Sequence, residues 1–163
     1  MARTGLKIHL ELERSAWRGL SSSDETREGS NVDFVTGGAY NGKGEWVRKT
    51  LLETVNEVTW IDVASEKIST PDTSTLVVEN LEYIVKEHEP TNAFEKLEEI
   101  LRWEKRRSSR MVILIGTDTT KGIVPLERSD REWRDRTGFL YQEMVKRADH
   151  AFLIWFGLGE KLK

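Results

Sequence analysis

Residues 37–44 carry the strongest chemical signal in this sequence. They follow a short apolar run and fit the pattern G-x-x-x-x-G-K, with Gly37, Gly42 and Lys43 at its fixed positions. Glycines let backbone N–H groups converge on phosphate oxygens, and a lysine at the start of a helix reaches the terminal phosphates. We therefore predict a phosphate-binding loop that holds ATP or GTP, with Lys43 as a catalytic residue. The predicted nucleotide-binding residues are Gly37, Gly38, Ala39, Tyr40, Asn41, Gly42, Lys43, Gly44 and Asp62.

The residue after the lysine departs from the usual pattern. A Ser or Thr hydroxyl normally stands there and ligates Mg²⁺, but this chain has Gly44. Any Mg²⁺ must therefore be held by the nucleotide, by water and by other carboxylates. A glycine-rich turn without a ligand is the alternative interpretation of the motif.

Three acidic residues follow predicted strands: Asp62, Glu79 and Asp118. Ligands of open α/β sheets bind beyond the carboxyl ends of the strands. We therefore predict that these acids face the phosphate loop as Mg²⁺ ligands, and that Glu79 and Asp118 take part in catalysis. Each of them alone is more often a loop or capping residue, so that interpretation stays open.

The surrounding elements alternate between apolar runs and amphipathic stretches. Helical spacing predicts a helix from Lys43 to about Val55, a short helix near Tyr83 and a helix capped by Thr91 after Pro90. A capping box at Ser129–Glu132 predicts the start of another helix. Together they predict the α/β class, with a P-loop NTPase-type, mostly parallel sheet and helices on both faces. The predicted strands are 32–36, 58–63, 75–78, 111–115 and a final one at 152–156.

The first thirty residues differ from the rest of the chain. Residues 6–12 alternate strictly between apolar and polar types, which predicts a strand, and residues 21–30 are small and polar, which predicts a linker. Charged residues interrupt the N-terminus, so it does not fit a signal peptide. We predict an N-terminal extension at 1–30 and a nucleotide-binding, kinase-like domain at 31–163.

Composition excludes several functional classes. The chain has no cysteine, so a disulfide framework, a zinc–thiolate site and a cysteine nucleophile are all excluded. Its 25 Lys and Arg against 28 Asp and Glu lack the basic excess typical of nucleic-acid binders. No apolar run approaches the roughly 18 residues of a membrane span. We predict a cytoplasmic protein that contacts neither nucleic acid nor the membrane interior.

Two parts of the sequence resemble one enzyme family. Thr36–Ala39 with Gly42 and Lys43 resembles the start of the adenosylcobinamide kinase / adenosylcobinamide-phosphate guanylyltransferase family, and the similarity resumes at Glu79 and from Met111 onward. Asp118 stands where the family has a glutamate. The C-terminal similarity rests on Gly122, Ile123, Val124, Pro125, Arg134, Asp135, Gly138, Gln142, Ala148, Asp149, Gly157, Gly159, Lys161 and Lys163.

This resemblance implies a function. It implies ATP- or GTP-dependent phosphorylation of the corrinoid adenosylcobinamide in cobalamin biosynthesis. It also implies a homo-oligomer, with a trimer as one candidate. The family then transfers GMP through a histidine located between the second and third strands, but residues 64–75 contain no histidine here. His9 lies in the extension, His88 is predicted on the surface and His150 in a turn. We therefore predict the kinase step without the guanylyltransferase step; the alternative is a catalytically degenerate protein that binds nucleotide or corrinoid.

Overall fold

The computed structural model describes residues 30–87, 90–122 and 125–163. The predicted N-terminal strand, most of the predicted linker, and His9, His88, Ile123 and Val124 lie outside the described residues.

One six-stranded sheet forms the centre of the described domain. Its order is β2-β3-β4-β1-β5-β6, in which all neighbours are parallel except β5 and β6. The predicted α/β class with a mostly parallel sheet is therefore confirmed. The strands are β1 (Val32–Gly37), β2 (Val58–Asp62), β3 (Thr75–Glu79), β4 (Met111–Thr117), β5 (His150–Trp155) and β6 (Leu158–Lys161).

Helices cover both faces of the sheet, as predicted. They are α1 (Lys43–Thr50), α2 (Ile84–Glu87), which follows a 3₁₀ turn at Leu81–Tyr83, α3 (Pro90–Lys105) and α4 (Arg128–Arg147). Alternate strand residues point to opposite faces. Phe34 and Leu114 therefore pack with α3 and α4, whereas Val35 and Ile115 pack with Val47 of α1.

Two predicted helix boundaries are wrong. Helix α1 ends at Thr50, so Leu51 and Val55 pack against the sheet from the turn that follows. Helix α3 begins at Pro90, where the fixed φ of proline suits a first helical turn, so Thr91 does not cap it from outside.

The predicted capping box at Ser129–Glu132 is also wrong. Helix α4 begins at Arg128, two residues earlier than a Ser129 cap implies, and its N-cap residue Glu127 makes no side-chain capping hydrogen bond. Glu132 Oε1 instead accepts a hydrogen bond from Arg128 Nε at 2.7 Å, one helical turn away. The carboxylate that would complete the box is thus engaged by an i,i+4 pair.

The C-terminal end of the chain differs from the prediction in two respects. His150 is the first residue of β5 and not a turn residue. The predicted final strand is followed by β6, which pairs antiparallel with β5 through a two-residue turn at Phe156 and Gly157. All four residues of β6 are exposed, so it has no alternation of apolar and polar residues to reveal it.

Candidate functional site

The phosphate loop, residues 37–44, connects the carboxyl end of β1 to α1. Its first glycine is required by packing, because a Cβ on Gly37 would lie 2.2 Å from the carbonyl oxygen of Ile154 in β5. Gly42 has a left-handed backbone with φ of 81° and directly precedes the helix. Only glycine adopts such backbone without strain. The glycines of the motif therefore shape the connection between strand and helix.

Lys43 is folded back under this loop. Its side chain is buried, and Nζ donates hydrogen bonds to the carbonyl oxygens of Gly37 at 3.2 Å and Gly38 at 3.0 Å. Burial lowers the pKa of Lys43, and the nearby carboxylates of Glu82, Glu79 and Asp118 oppose that shift. The Lys43 ammonium group is thus held against the backbone carbonyls of the loop. Phosphate oxygens of a ligand can replace these carbonyl oxygens as its partners.

Glu79 is brought against the start of α1. Its Oε2 accepts a hydrogen bond from Trp60 Nε1 at 2.7 Å, and a Cβ on Gly44 would lie 3.1 Å from its Oε1. Arg48, on the same helix, stacks its guanidinium 3.9 Å from the centre of the Trp60 ring. The carboxylate of Glu79 therefore lies next to Gly44, the position at which a magnesium-binding hydroxyl usually stands.

Asp62 and Asp118 both accept hydrogen bonds from neighbouring protein groups. Asp62 Oδ1 accepts from Asn80 Nδ2 at 2.8 Å and from the Ala64 amide at 2.9 Å. Asp118 Oδ1 accepts from the Thr120 amide at 2.9 Å, while the Asp118 amide donates to the carbonyl oxygen of Gly37 at 3.0 Å. Asp118 is thus joined to the phosphate loop, whereas Asp62 ends a strand that β3 and β4 separate from β1.

The acids do not form a metal cage. In the ranges that the structure describes, no group of three or more Asp, Glu or His side chains could hold a metal ion. Mg²⁺ bound with a nucleotide needs only one or two protein carboxylates, since phosphates and water supply the other ligands. Glu79 meets that requirement best, and the metal-binding roles of Asp62, Glu79 and Asp118 stay predictions.

Glu82 and Tyr141 extend the site beyond the predicted residues. Glu82 is 4% exposed, and its Oε2 accepts a hydrogen bond from the Thr117 amide at 2.9 Å. The Tyr141 hydroxyl lies 3.0 Å from both Glu82 Oε2 and the Thr117 carbonyl oxygen. Burial and the negative charge of Glu82 raise the pKa of Tyr141 well above its usual range. In the sequence, the only indication of this pair was one acidic residue, Glu82, within the apolar run that follows β3.

Comparison with known proteins identifies the family. A family described as "CobU: Cobinamide kinase / cobinamide phosphate guanyltransferase" matches residues 64–162, more than half of the chain. The chain belongs to this family. The predicted resemblance is therefore confirmed, although the phosphate loop precedes the matched residues.

A curated relative gives a second, shorter match. The chain is 34% identical over 58 residues to the "Bifunctional adenosylcobalamin biosynthesis protein CobU" of Salmonella typhimurium. The match covers 36% of this chain and 32% of that protein, so it spans about a third of the relative's length.

Among the described residues, no helix is long and apolar enough to cross a membrane.

Proposed function

We propose that this protein transfers a phosphoryl group from ATP or GTP to the hydroxyl of adenosylcobinamide in cobalamin biosynthesis. One observation carries the proposal: the Lys43 ammonium is held against the Gly37 and Gly38 carbonyls, beside a helix start that Glu79 approaches. Membership of the cobinamide kinase family supports the choice of substrate. The proposal includes a cytoplasmic location and a homo-oligomer, with a trimer as the form to test by sedimentation.

Phosphoryl transfer depends mainly on positioning and electrostatics. Backbone N–H groups of residues 37–44 would hold the phosphate oxygens, and Lys43 would neutralise charge on the terminal phosphates. Glu79 would hold Mg²⁺, which supplies further charge neutralisation when bound. Asp118, whose backbone amide donates to the Gly37 carbonyl oxygen, would accept the substrate's hydroxyl proton.

The second reaction of the family is not part of the proposal. Residues 64–75 contain no histidine. His150 begins β5 at the sheet edge opposite the phosphate loop, where its Nδ1 lies 2.9 Å from Asp33 Oδ1. We expect no guanylylated protein after incubation with radiolabelled GTP. Label mapped to His150 would contradict this expectation.

A catalytically degenerate protein that binds nucleotide or corrinoid is the second candidate. Gly44 supplies no hydroxyl, and Asp62 is engaged by Asn80 and Ala64. Both features leave phosphate binding possible while weakening metal binding. This candidate and the kinase differ in one outcome, the formation of cobinamide phosphate.

The deciding experiment incubates the protein with adenosylcobinamide, Mg²⁺ and either ATP or GTP, and measures cobinamide phosphate. We expect slow, magnesium-dependent product formation. Glu79→Gln should lower kcat more than nucleotide affinity, because it removes charge next to the metal rather than from the phosphate cradle. Glu45→Gln is the matched control, since Glu45 is an exposed residue in the first turn of α1 and pairs with Lys49.

Gly44→Ser sharpens the distinction between the two candidates. The new hydroxyl would lie beside Glu79 Oε1, and Glu79 and Arg48 would have to move by a few tenths of an ångström. We expect a higher magnesium affinity or rate. If neither the parent nor Gly44→Ser forms product while both bind nucleotide, the degenerate candidate is correct.

A further inference from the structure

Three aromatic side chains are exposed on the phosphate loop and at the neighbouring end of β5 with its turn. Tyr40 in the phosphate loop is fully exposed, while Trp155 at the end of β5 and Phe156 in the β5–β6 turn are 64% and 78% exposed. Most other aromatic residues of the described chain, such as Phe34 and Trp103, pack in the core. We name Tyr40, Trp155 and Phe156 the aromatic platform.

The backbone of the platform is strained. In the described ranges, only Tyr40, Asn80 and Phe156 are non-glycine residues with positive φ, and two of them belong to the platform. Their φ values are 59° for Tyr40 and 49° for Phe156. Bulky side chains are disfavoured in left-handed backbone. Strain of this kind clusters at binding sites, where other contacts compensate for it.

The two-residue turn makes the choice of Phe156 unusual. Phe156 and Gly157 both have positive φ, and turns of that kind strongly favour Asn followed by Gly. The ring of Phe156 gains little burial in return, since it stays exposed. Its contribution to folding therefore does not explain its presence.

The β5–β6 turn is fixed to the phosphate loop. The Gly157 amide donates to the carbonyl oxygen of Asn41 at 2.9 Å, and Asn41 Nδ2 donates to the carbonyl oxygen of Ile154 at 3.4 Å. Trp155 and Phe156 lie nearly parallel, with ring centres 5.7 Å apart and planes 28° apart. The stacked rings of Trp155 and Phe156 are therefore carried by a segment that is held at the phosphate loop.

We propose that the aromatic platform stacks against the nucleobase of the triphosphate whose phosphates lie in residues 37–44. This inference rests on the proposed function, because it requires a nucleotide in the loop. Base and phosphates belong to one molecule. Ile154 and Gly157, which flank Trp155 and Phe156, are hydrogen-bonded to Asn41 of the loop, so aromatic rings at this position would meet the base of a nucleotide whose phosphates the loop holds. Aromatic stacking accepts every base, since every base has a π-face. The platform therefore binds ATP and GTP with similar affinity.

A second copy of the chain is a poorer occupant of this surface. The adjoining edge strand β6 carries Glu160 and Lys161 on exposed backbone. Charged side chains on an edge strand oppose pairing with another strand.

The test compares ATP, GTP and inorganic tripolyphosphate by calorimetry with the full chain. In the parent, we expect ATP and GTP to bind with similar affinity and more tightly than tripolyphosphate. Trp155→Ala should weaken ATP and GTP by at least about fivefold while leaving tripolyphosphate unchanged. Trp155→Phe should restore most of the loss, because it keeps an aromatic ring.

Phe156→Gly separates binding from folding. Glycine relieves the left-handed strain, so we expect the melting temperature to rise while ATP affinity falls. Leu162→Ala is the matched control, because Leu162 is an exposed apolar residue that follows β6 at the other end of the hairpin. It should change neither ATP affinity nor tripolyphosphate affinity.

The outcomes distinguish this inference from the proposed function. If Lys43→Ala weakens ATP and tripolyphosphate, yet Trp155→Ala and Phe156→Gly bind ATP like the parent, the platform is overturned and the phosphate loop stands. If neither ligand binds the parent, both proposals fail. If the platform variants dissociate a homo-oligomer without changing ATP affinity, the surface is an interface between copies and the inference is overturned.

Discussion

Buried charged residues have different roles at the two ends of the parallel strands, here called the amino edge and the carboxyl edge of the sheet. At the amino edge, Asp149 Oδ2 accepts from the Val32 amide at 2.9 Å and Glu104 Oε1 accepts from the Asn31 amide at 2.9 Å. Asp33 pairs with His150 on the neighbouring strand. These carboxylates supply hydrogen-bond partners at and just before the start of β1 and so stabilise the fold.

The carboxyl edge gathers charge around a loop instead. Lys43 is hydrogen-bonded to carbonyl oxygens. Burial lowers its pKa, and the charges of Glu82, Glu79 and Asp118 oppose that shift. This loop and the neighbouring β5–β6 turn each contain an aromatic residue with left-handed backbone, Tyr40 and Phe156. The difference teaches that burial of charge alone does not mark a functional site. A charge held by exchangeable carbonyl partners, beside strained backbone, does so better.

The largest expected effect in the folded domain is that of Glu82→Ala. It leaves the Thr117 amide and the Tyr141 hydroxyl without their carboxylate partner, at a cost of about 2–4 kcal/mol in the free energy of unfolding. It also removes a negative charge that raises the pKa of Lys43. ATP affinity should therefore be lost at a lower pH than in the parent.

Urea unfolding and calorimetry at several pH values measure both effects. Glu82→Gln is the control, because it keeps one acceptor oxygen and should lose less stability while shifting the pH profile equally. An unchanged pH dependence of ATP affinity in both variants would show that the charge of Glu82 does not act on Lys43.

Asp149→Ala should have a smaller effect, confined to stability. The variant leaves the Val32 amide without its side-chain partner, which costs about 1 kcal/mol in the free energy of unfolding. ATP affinity should not change, since the residue lies at the amino edge. Asp149→Asn keeps an acceptor and should lose less. A marked loss of ATP affinity in Asp149→Ala would contradict the separation of the two edges.

The smallest expected effect is a pH dependence from Asp33. Burial raises the pKa of Asp33 above 3.8, although the hydrogen bond and charge of His150 and the charge of Lys161 oppose that shift, and Asp149 adds to it. The native state therefore holds this proton more tightly than the unfolded state, and the contribution of Asp33 to stability falls as the pH rises from about 3.8 through its native pKa.

The measurement is the difference in the free energy of unfolding between the parent and Asp33→Asn across this pH range. His150→Ala should extend the upper limit of this window to higher pH, because it removes a group that lowers the native pKa of Asp33. A parent stability that rises with pH relative to Asp33→Asn would show the opposite sign and refute the assignment.

Local patterns in the sequence predicted most of the sheet. Buried runs such as Met111–Ile115 predict strands because a sheet covered on both faces requires apolar residues at every position. The exposed strand β6 gave no such pattern. Ser129 and Glu132 had the right spacing for a capping box, yet the pair between Arg128 and Glu132 engaged the carboxylate.

The candidate site was predictable only in its local part. The glycines and Lys43 follow one another in sequence, so their motif predicts the loop. Glu82 and Tyr141 are 59 residues apart and meet only because α4 packs over the end of β4. The platform likewise depends on hydrogen bonds between Asn41 and the distant β5–β6 turn. Contacts of that kind arise from tertiary packing, which spacing along the chain does not report.

Binding of ATP to the Lys43→Ala variant, measured by calorimetry, tests the central claim most directly. Lys49→Ala is the matched control, because Lys49 lies on the exposed side of the same helix and pairs with Glu45. We predict that Lys43→Ala loses at least about tenfold in ATP affinity, as expected for a charge-assisted hydrogen bond to phosphate, while its circular dichroism spectrum is unchanged. Lys49→Ala should bind like the parent. Equal affinity in Lys43→Ala and the parent would show that residues 37–44 form a structural turn, and would contradict the account.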